Sequence, residues 1–175
     1  MSMIINKQEI KEWIITILTA IVLVIIIRAF ILDSRVVPTP SMVPTIQCGD
    51  RLFVEKVTHR FKGLQRGDVI VFVPPEQSRL EDDLIKRLIG LPGDTVEIRD
   101  GKVYVNNQAL EEPYLAEPIQ YEYSLVKVPE GKLFVLGDNR NRSYDSHEWG
   151  FADLDSVKGK ALFTYWPFNR LKYWK

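Results

Sequence analysis

The strongest constraint on this 175-residue chain is an uncharged apolar run, residues 13–27, which resumes after Arg28 and continues to Leu32. Roughly twenty apolar residues suffice to cross the hydrocarbon of a bilayer, because a helix rises about 1.5 Å per residue. Residues 13–32 meet that length if Arg28 extends its side chain to the far interface. A cleaved secretory signal is the rival reading, but the apolar stretch is long and no small-x-small cleavage site follows it. The run is therefore read as a single uncleaved anchor helix. Residues 1–12 become a short cytoplasmic tail, and residues 33–175 one extracytoplasmic domain. Lys7 and Lys11 favour a cytoplasmic N-terminus, while Arg28 and Arg35 on the other side reduce the charge asymmetry.

Past the anchor the chain reads as a succession of short strands. Residues 51–57 and 68–73 are strand-like and flank a loop with Gly63 and Gly67; Pro74 and Pro75 end the second. Asp100 and Gly101 lie between residues 95–99 and 102–106, the dipeptide best suited to a tight hairpin turn. Residues 124–128 and 132–136 form a further pair across Pro129, Glu130 and Gly131, and residues 159–166 a closing strand. Outside the anchor there is no long helical period and no repeat, so the expected fold is mostly β. In the C-terminal aromatic stretch Phe163 and Tyr165 are assigned to the core and Trp174 to a membrane interface.

Composition removes several functions. Lysine plus arginine and aspartate plus glutamate number 23 each, so there is no basic excess to neutralise phosphates, and no nucleic-acid partner is expected. Cys48 is the one cysteine, which excludes an internal disulfide; with no base beside it, it reads as a small buried hydrophobe. His59 and His147 lack ligand-spaced partners, so neither a metal nor another cofactor is expected.

Shortly after the apolar run, residues 38–45 read Pro-Thr-Pro-Ser-Met-Val-Pro-Thr. Proline fixes its own φ and pushes the preceding residue out of the helical region, so Val37, Thr39 and Val43 should be extended and Ser41 presented on a stiff rail. One side of that rail would stay open to an extended peptide. A proline-rich linker is the plain alternative. Lys86 sits inside the apolar run Leu-Ile-Lys-Arg-Leu-Ile at 84–89, ahead of Gly90-Leu-Pro-Gly-Asp94. As a strand, this segment puts Lys86 on one face with Leu84 and Leu88, and Arg87 on the other with Ile85 and Ile89. Burial disfavours the ammonium form, and a neutral lysine amine can act as a general base. The alternative is a lysine that reaches solvent along its own stem.

A third segment, residues 137–150, is polar and glycine-bounded: Gly137-Asp-Asn-Arg140 with Ser143, Asp145, Ser146 and His147. Taken in order with Ser41-Met-Val-Pro-Thr45 and the Lys86-Arg87 strand, these motifs resemble the type I signal peptidases, membrane-anchored proteases with a serine and lysine dyad. The resemblance spans the chain from the anchor to Gly150. It implies a compact β-rich catalytic domain of the signal-peptidase type, with a variable insertion that is short here, at about residues 95–136, as in a small bacterial member. It implies that Ser41 is the nucleophile and Lys86 the base, that the Thr39 hydroxyl helps bind the oxyanion, and that Ser143 orients Lys86 while Asp145 holds the loop. It also implies that Val37, Pro38, Ile46, Leu84 and Ile85 fall on or near the walls of pockets for small substrate side chains. The implied partners are signal-peptide-bearing precursors and the lipid bilayer, for a monomer in the plasma membrane with its catalytic domain outside.

Two other readings stay open at this level. Ser41, His147 and Asp145 are a candidate Ser-His-Asp set, since Asp145 and His147 would share a face of an extended segment. Most family members have arginine where this chain has His147, which favours a loop-supporting role for it. A binding or scaffold protein on a membrane anchor is the other reading, and neither of these requires Lys86.

Overall fold

A computed structural model describes residues 7–174. Helix α1, Lys7–Ile26, continues as a π-helical turn, Ile27–Ile31. Together they form a 25-residue helix that is long and apolar enough, by length and composition, to cross a membrane, and none of its residues is buried. The helix starts ahead of the apolar run because Lys7, Gln8, Glu9, Lys11 and Glu12 are good helix formers in their own right. Residues 7–12 of the expected tail are thus helical, and residues 1–6 lie outside the described residues.

Strand β1, Leu32–Val36, begins on the residue after the helix. It is followed by β2 (Arg51–Glu55), α2 (Thr58–Lys62), β3 (Val69–Phe72), β4 (Leu84–Gly90), β5 (Thr95–Arg99), β6 (Lys102–Val105) and β7 (Gln108–Ala109). After these come β8 (Tyr123–Lys127), β9 (Lys132–Leu136), α3 (Ser146–Trp149), β10 (Ala152–Asp153), β11 (Val157–Trp166) and β12 (Lys172–Tyr173). One sheet has the order β1-β2-β11-β3-β4-β9-β10, with β12 on β11, and the other β7-β6-β5-β8. The paired strands run antiparallel.

The fold is mostly β, and the pattern of each strand explains its place. β5 alternates, burying Val96 and Ile98 on one face, as a half-exposed sheet requires. β3 is buried on both faces, and its continuous Val-Ile-Val-Phe run is what such a strand needs. Between the sheets, Ile89, Val96, Ile98, Val103, Val128 and Phe134 form one core cluster; a second, Ile70, Phe72, Leu88, Leu133 and Val135, comes from β3, β4 and β9 of the first sheet and packs with Trp149. A third joins Val37, Met42, Ile46, Leu52, Val69 and Ala161 beside the serine motif. Asp100 and Gly101 both have positive φ (52° and 71°), as a tight hairpin turn demands, and Val96 pairs with Val105 across it.

Several sequence expectations need correction. Residues 124–128 and 132–136 are not a hairpin: β8 pairs with β5, whereas β9 pairs with β4 and β10. Gly131, at φ 73°, lies where the chain passes from one sheet to the other. Cys48 is exposed rather than buried, on the polar turn before β2. Part of the loop between β2 and β3 is helical, as α2. Phe163 and Tyr165 are half-buried; Tyr165 stacks on Phe53 at 4.4 Å between ring centroids and shares a hydrogen bond with the Ser34 hydroxyl. Trp174 turns inward, where its Nε1 donates to Thr164 at 3.0 Å, and the exposed aromatics are Trp166, Phe168 and Tyr173.

Close approach of strands leaves no room at Gly159 in β11. A Cβ there would collide with the Glu55 carbonyl oxygen and lie 2.8 Å from a Val54 methyl. Forcing atoms into packed space costs about 1–3 kcal/mol. Gly159→Ala is therefore expected to lower the thermal midpoint of the detergent-solubilised protein by several degrees, and a midpoint equal to wild type would show that the β2–β11 contact can open.

Candidate active site

The prolines shape the serine motif differently from a straight rail. Thr39 (φ −119°, ψ 153°) and Val43 (φ −65°, ψ 139°) are extended, but Pro40–Met42 between them is one turn of 3-10 helix. Proline is well placed at the first position of such a turn, where no intrahelical acceptor awaits its missing N–H. Ser41 therefore lies near the amino end of a short helical turn, 8% exposed, with its hydroxyl 3.3 Å from that of Thr39.

The polar loop after β9 holds this turn in place. Asn139 N donates to the Ser41 carbonyl at 3.0 Å, and Asn139 Nδ2 donates to the Pro40 carbonyl at 3.1 Å. Gly137 packs so tightly that a Cβ on it would overlap both the Ser41 carbonyl oxygen and the Ser143 hydroxyl. Only glycine lets the two segments approach this closely.

Lys86 comes from β4, where it sits opposite Ile70 and is 3% exposed. Its Nζ donates to Ser143 Oγ at 2.9 Å. Burial pushes its pKa down to about 8, against the opposing pull of the Asp145 and Asp138 carboxylates. Both carboxylates are engaged elsewhere. Asp145, fully buried, accepts from Gly137 N at 2.8 Å and caps α3. Asp138 takes a two-pronged contact from Arg87, at 2.7 and 2.6 Å.

His147 lies on the far side of Asp145. Its Nδ1 is 2.8 Å from Asp145 Oδ1, its Nε2 is 3.3 Å from Glu148 Oε1, and its ring stacks on Tyr121 at 4.2 Å. Burial works against the imidazolium, but the hydrogen bond and charge of Asp145, with Glu148, raise its pKa above the ordinary value. Both ring nitrogens are thus turned to carboxylates.

A cleft of about 190 Å³ opens at the serine turn, and its walls include Val37, Pro38, Thr39, Ser41, Leu84 and Ile85. Ile46, expected on or near a wall, is 0% exposed and packs in the cluster with Val37 and Met42. Residues 80–83 complete the lining, which sequence reasoning did not anticipate. They are held at both ends: the Ser78 hydroxyl accepts from Leu80 N at 3.2 Å, and Asp83 pairs with Lys158 at 2.7 Å and with Arg35 at 3.0 Å.

Sequence reasoning also missed the tie to the insertion. Arg140, 1% exposed, reaches the two oxygens of Glu112 at 2.9 and 2.7 Å, and donates to the Gly137 carbonyl at 3.0 Å. The Tyr114 ring lies 3.9 Å from the Arg87 guanidinium and 6.0 Å from that of Arg140. Tyr114 donates to Glu112 at 2.6 Å, but the arginines that both meet are distant in sequence, so nothing local singles the two out. Among the described residues no group of histidine, cysteine or carboxylate side chains could hold a metal.

The chain is similar to known proteins. The model of the family "Signal peptidase, peptidase S26" matches residues 10–166. A probable signal peptidase I-1 of Synechocystis is 48% identical over 168 residues, covering 93% of this chain and 86% of the relative. A signal peptidase I of Bacillus licheniformis is 40% identical over 178 residues, covering 95% and 94%. Among solved structures, a signal peptidase I from Enterococcus faecalis matches with a TM-score of 0.50 at 43% identity, over 57% of this chain and 97% of that one. The chain belongs to the signal peptidase family, peptidase S26.

Proposed function

We propose that this protein is a membrane-anchored serine endopeptidase that removes N-terminal signal peptides from exported precursors after small side chains, using Ser41 as nucleophile and Lys86 as base. The observation that carries this reading is the buried Lys86 amine, held by Ser143 beside the Ser41 turn and neutral at mildly alkaline pH. On this reading the protein is a single-pass monomer of the plasma membrane, N-terminus inside and catalytic domain outside, and the 25-residue apolar helix supports the anchor. The precursor binds extended, with small side chains in the cleft of Val37, Pro38, Leu84 and Ile85.

Neutral Lys86 takes the proton from Ser41 Oγ, which attacks the scissile carbonyl carbon and drives the electron pair onto its oxygen. The oxyanion meets the Ser41 N–H and the Thr39 hydroxyl; Pro40 has no N–H to offer. Collapse of the tetrahedral intermediate breaks the C–N bond, and the Lys86 ammonium protonates the leaving amine. Neutral again, Lys86 deprotonates a water that attacks the acyl carbon; the ester C–O bond then breaks and the Lys86 ammonium returns the proton to Ser41 Oγ. Ser143 aims the amine throughout, Asp145 fixes the loop, and His147 braces Asp145.

Ser41→Ala and Lys86→Ala are each expected to abolish cleavage of a signal-peptide-bearing precursor while the domain stays folded, because nucleophile and base act as a unit. Only the unprotonated amine works, so kcat/KM for wild type should rise through about pH 8, following the lowered Lys86 pKa. Substantial activity in Lys86→Ala would remove the dyad from consideration.

Thr39→Ala should slow the chemical step by about a hundredfold to a thousandfold, the usual loss for one oxyanion donor, and Thr39→Ser should recover most of it. Single-turnover rates equal to wild type would place the Thr39 hydroxyl outside the oxyanion hole.

His147→Arg should keep most of the activity and leave the rising pH limb where it is, since a guanidinium can both pair with Asp145 and stack on Tyr121. His147→Ala should cost moderately through a loosened loop. A folded but inactive His147→Arg protein, with a wild-type limb near the ordinary histidine value of about 6.5, would favour the triad instead.

A further inference from the structure

Hydrogen bonds, with no intervening linker, join the apolar helix to the domain. Lys56 N donates to the Ile31 carbonyl at 2.9 Å, and Lys56 Nζ donates to the Arg28 carbonyl at 3.1 Å. In the β1–β2 register Leu32 faces Glu55 and Val36 faces Arg51, so the Glu55 end of the sheet is the one beside the helix. Helix α2 begins just beyond it, at Thr58. Residues 56–67 contain Lys56, His59, Arg60, Lys62 and Arg66 and no carboxylate.

Phe61 in α2 is 83% exposed, more than any other large apolar side chain among the described residues. Arg60 and Lys62 beside it form no ion pair among the described residues. The carboxylates nearby are committed. Glu55 accepts from Val57 N and Thr58 N at 3.0 and 2.7 Å, Asp68 pairs with Lys160 at 2.8 Å, and Asp94 pairs with Arg66 at 3.0 Å. Asp155 is the acidic residue that shares a hollow with His59 and Arg60.

A bare aromatic ring flanked by unpaired cations at the aqueous end of an apolar helix matches what a lipid interface accepts. The ring enters the boundary between acyl chains and headgroups, and the cations stay with the phosphates. We propose that α2 docks on anionic headgroups of the bilayer that the apolar helix crosses, with Phe61 inserted between the unpaired Arg60 and Lys62. This rests on the reading of that helix as a membrane anchor. Of the other exposed aromatics of the domain, Trp166 and Phe168 lie at the opposite strand end, where Trp166 pairs with Arg51, about 13 Å further along at the usual strand rise. Arg170 beside them is already paired with Asp50.

The test uses the full chain with Cys48→Ser and an environment-sensitive dye on Phe61→Cys, or on Leu125→Cys in the second sheet, which is 62% exposed. The protein is reconstituted in phosphatidylcholine vesicles with or without phosphatidylglycerol. Flotation with the vesicles reads the anchor, and the dye reads the surface. With phosphatidylglycerol present, the label at 61 should be severalfold less quenched by aqueous acrylamide than the label at 125, and more quenched by lipid-borne nitroxide. Arg60→Glu with Lys62→Glu should abolish that difference while leaving cleavage of a soluble peptide in detergent unchanged. Equal quenching at the two positions would overturn the docking, and equal shielding with and without phosphatidylglycerol would overturn the headgroup recognition. Failure to float would overturn the anchor and the docking with it, whereas loss of peptide cleavage in detergent bears only on the proposed function.

Discussion

Stripping water from a lysine amine is costly, and the rest of this domain is arranged around doing so at Lys86. At 3% exposure the ammonium loses hydration, which favours the neutral form. Two carboxylates close enough to restore the charge, Asp145 and Asp138, are instead tied to the Gly137 N–H and to Arg87. Their engagement keeps a direct ion pair from forming, so the amine's hydrogen bond is to a neutral hydroxyl, Ser143. Stability is linked to pH accordingly. Because the folded pKa lies below that of an exposed lysine, the penalty for burying the charge is full below about pH 8, begins to lift as the pH rises through it, and is gone above the ordinary lysine value of 10.5.

The loop carrying Ser143 is long and polar, so it needs support from outside itself. Asn139 binds it to the serine turn, Arg140 to the insertion, and Asp145 to its own beginning. Ser146 adds a tie to the sheet, its hydroxyl accepting from Val135 N at 2.9 Å. The ties of Asn139 to Pro40 and of Arg140 to Glu112 join segments distant in sequence, so the geometry of the dyad is a property of the folded whole.

That distinction governs what could be read from sequence. The membrane-length helix, the mostly β class and the hairpin at Asp100 and Gly101 arise from local patterns: an apolar run, alternation and a turn dipeptide. Ser41, Lys86 and the 137–150 loop are visible as motifs, through resemblance more than through chemistry alone. What escapes depends on tertiary partners. The Pro40–Met42 turn owes its shape to Asn139 and the core behind it as well as to proline. The Arg140–Glu112 pair, the wall at residues 80–83 and the burial of Ile46 have no signature in their own neighbourhoods. β8 and β9 resemble a hairpin because a short turn joins them, yet the turn changes sheets.

The direct passage from Ile31 into β1 also sets a length scale. Ser41 lies ten residues after Ile31, and even a fully extended chain spans only about 35 Å over that distance. Half of those residues lie in a strand paired with β2, so the catalytic serine cannot wander on a tether. With the helix in a bilayer, the nucleophile stands at a set height above the lipid. Such an enzyme measures its substrate as well as recognising it: a bond too near the hydrocarbon, or too far from it, falls outside the reach of Ser41 whatever side chains flank it.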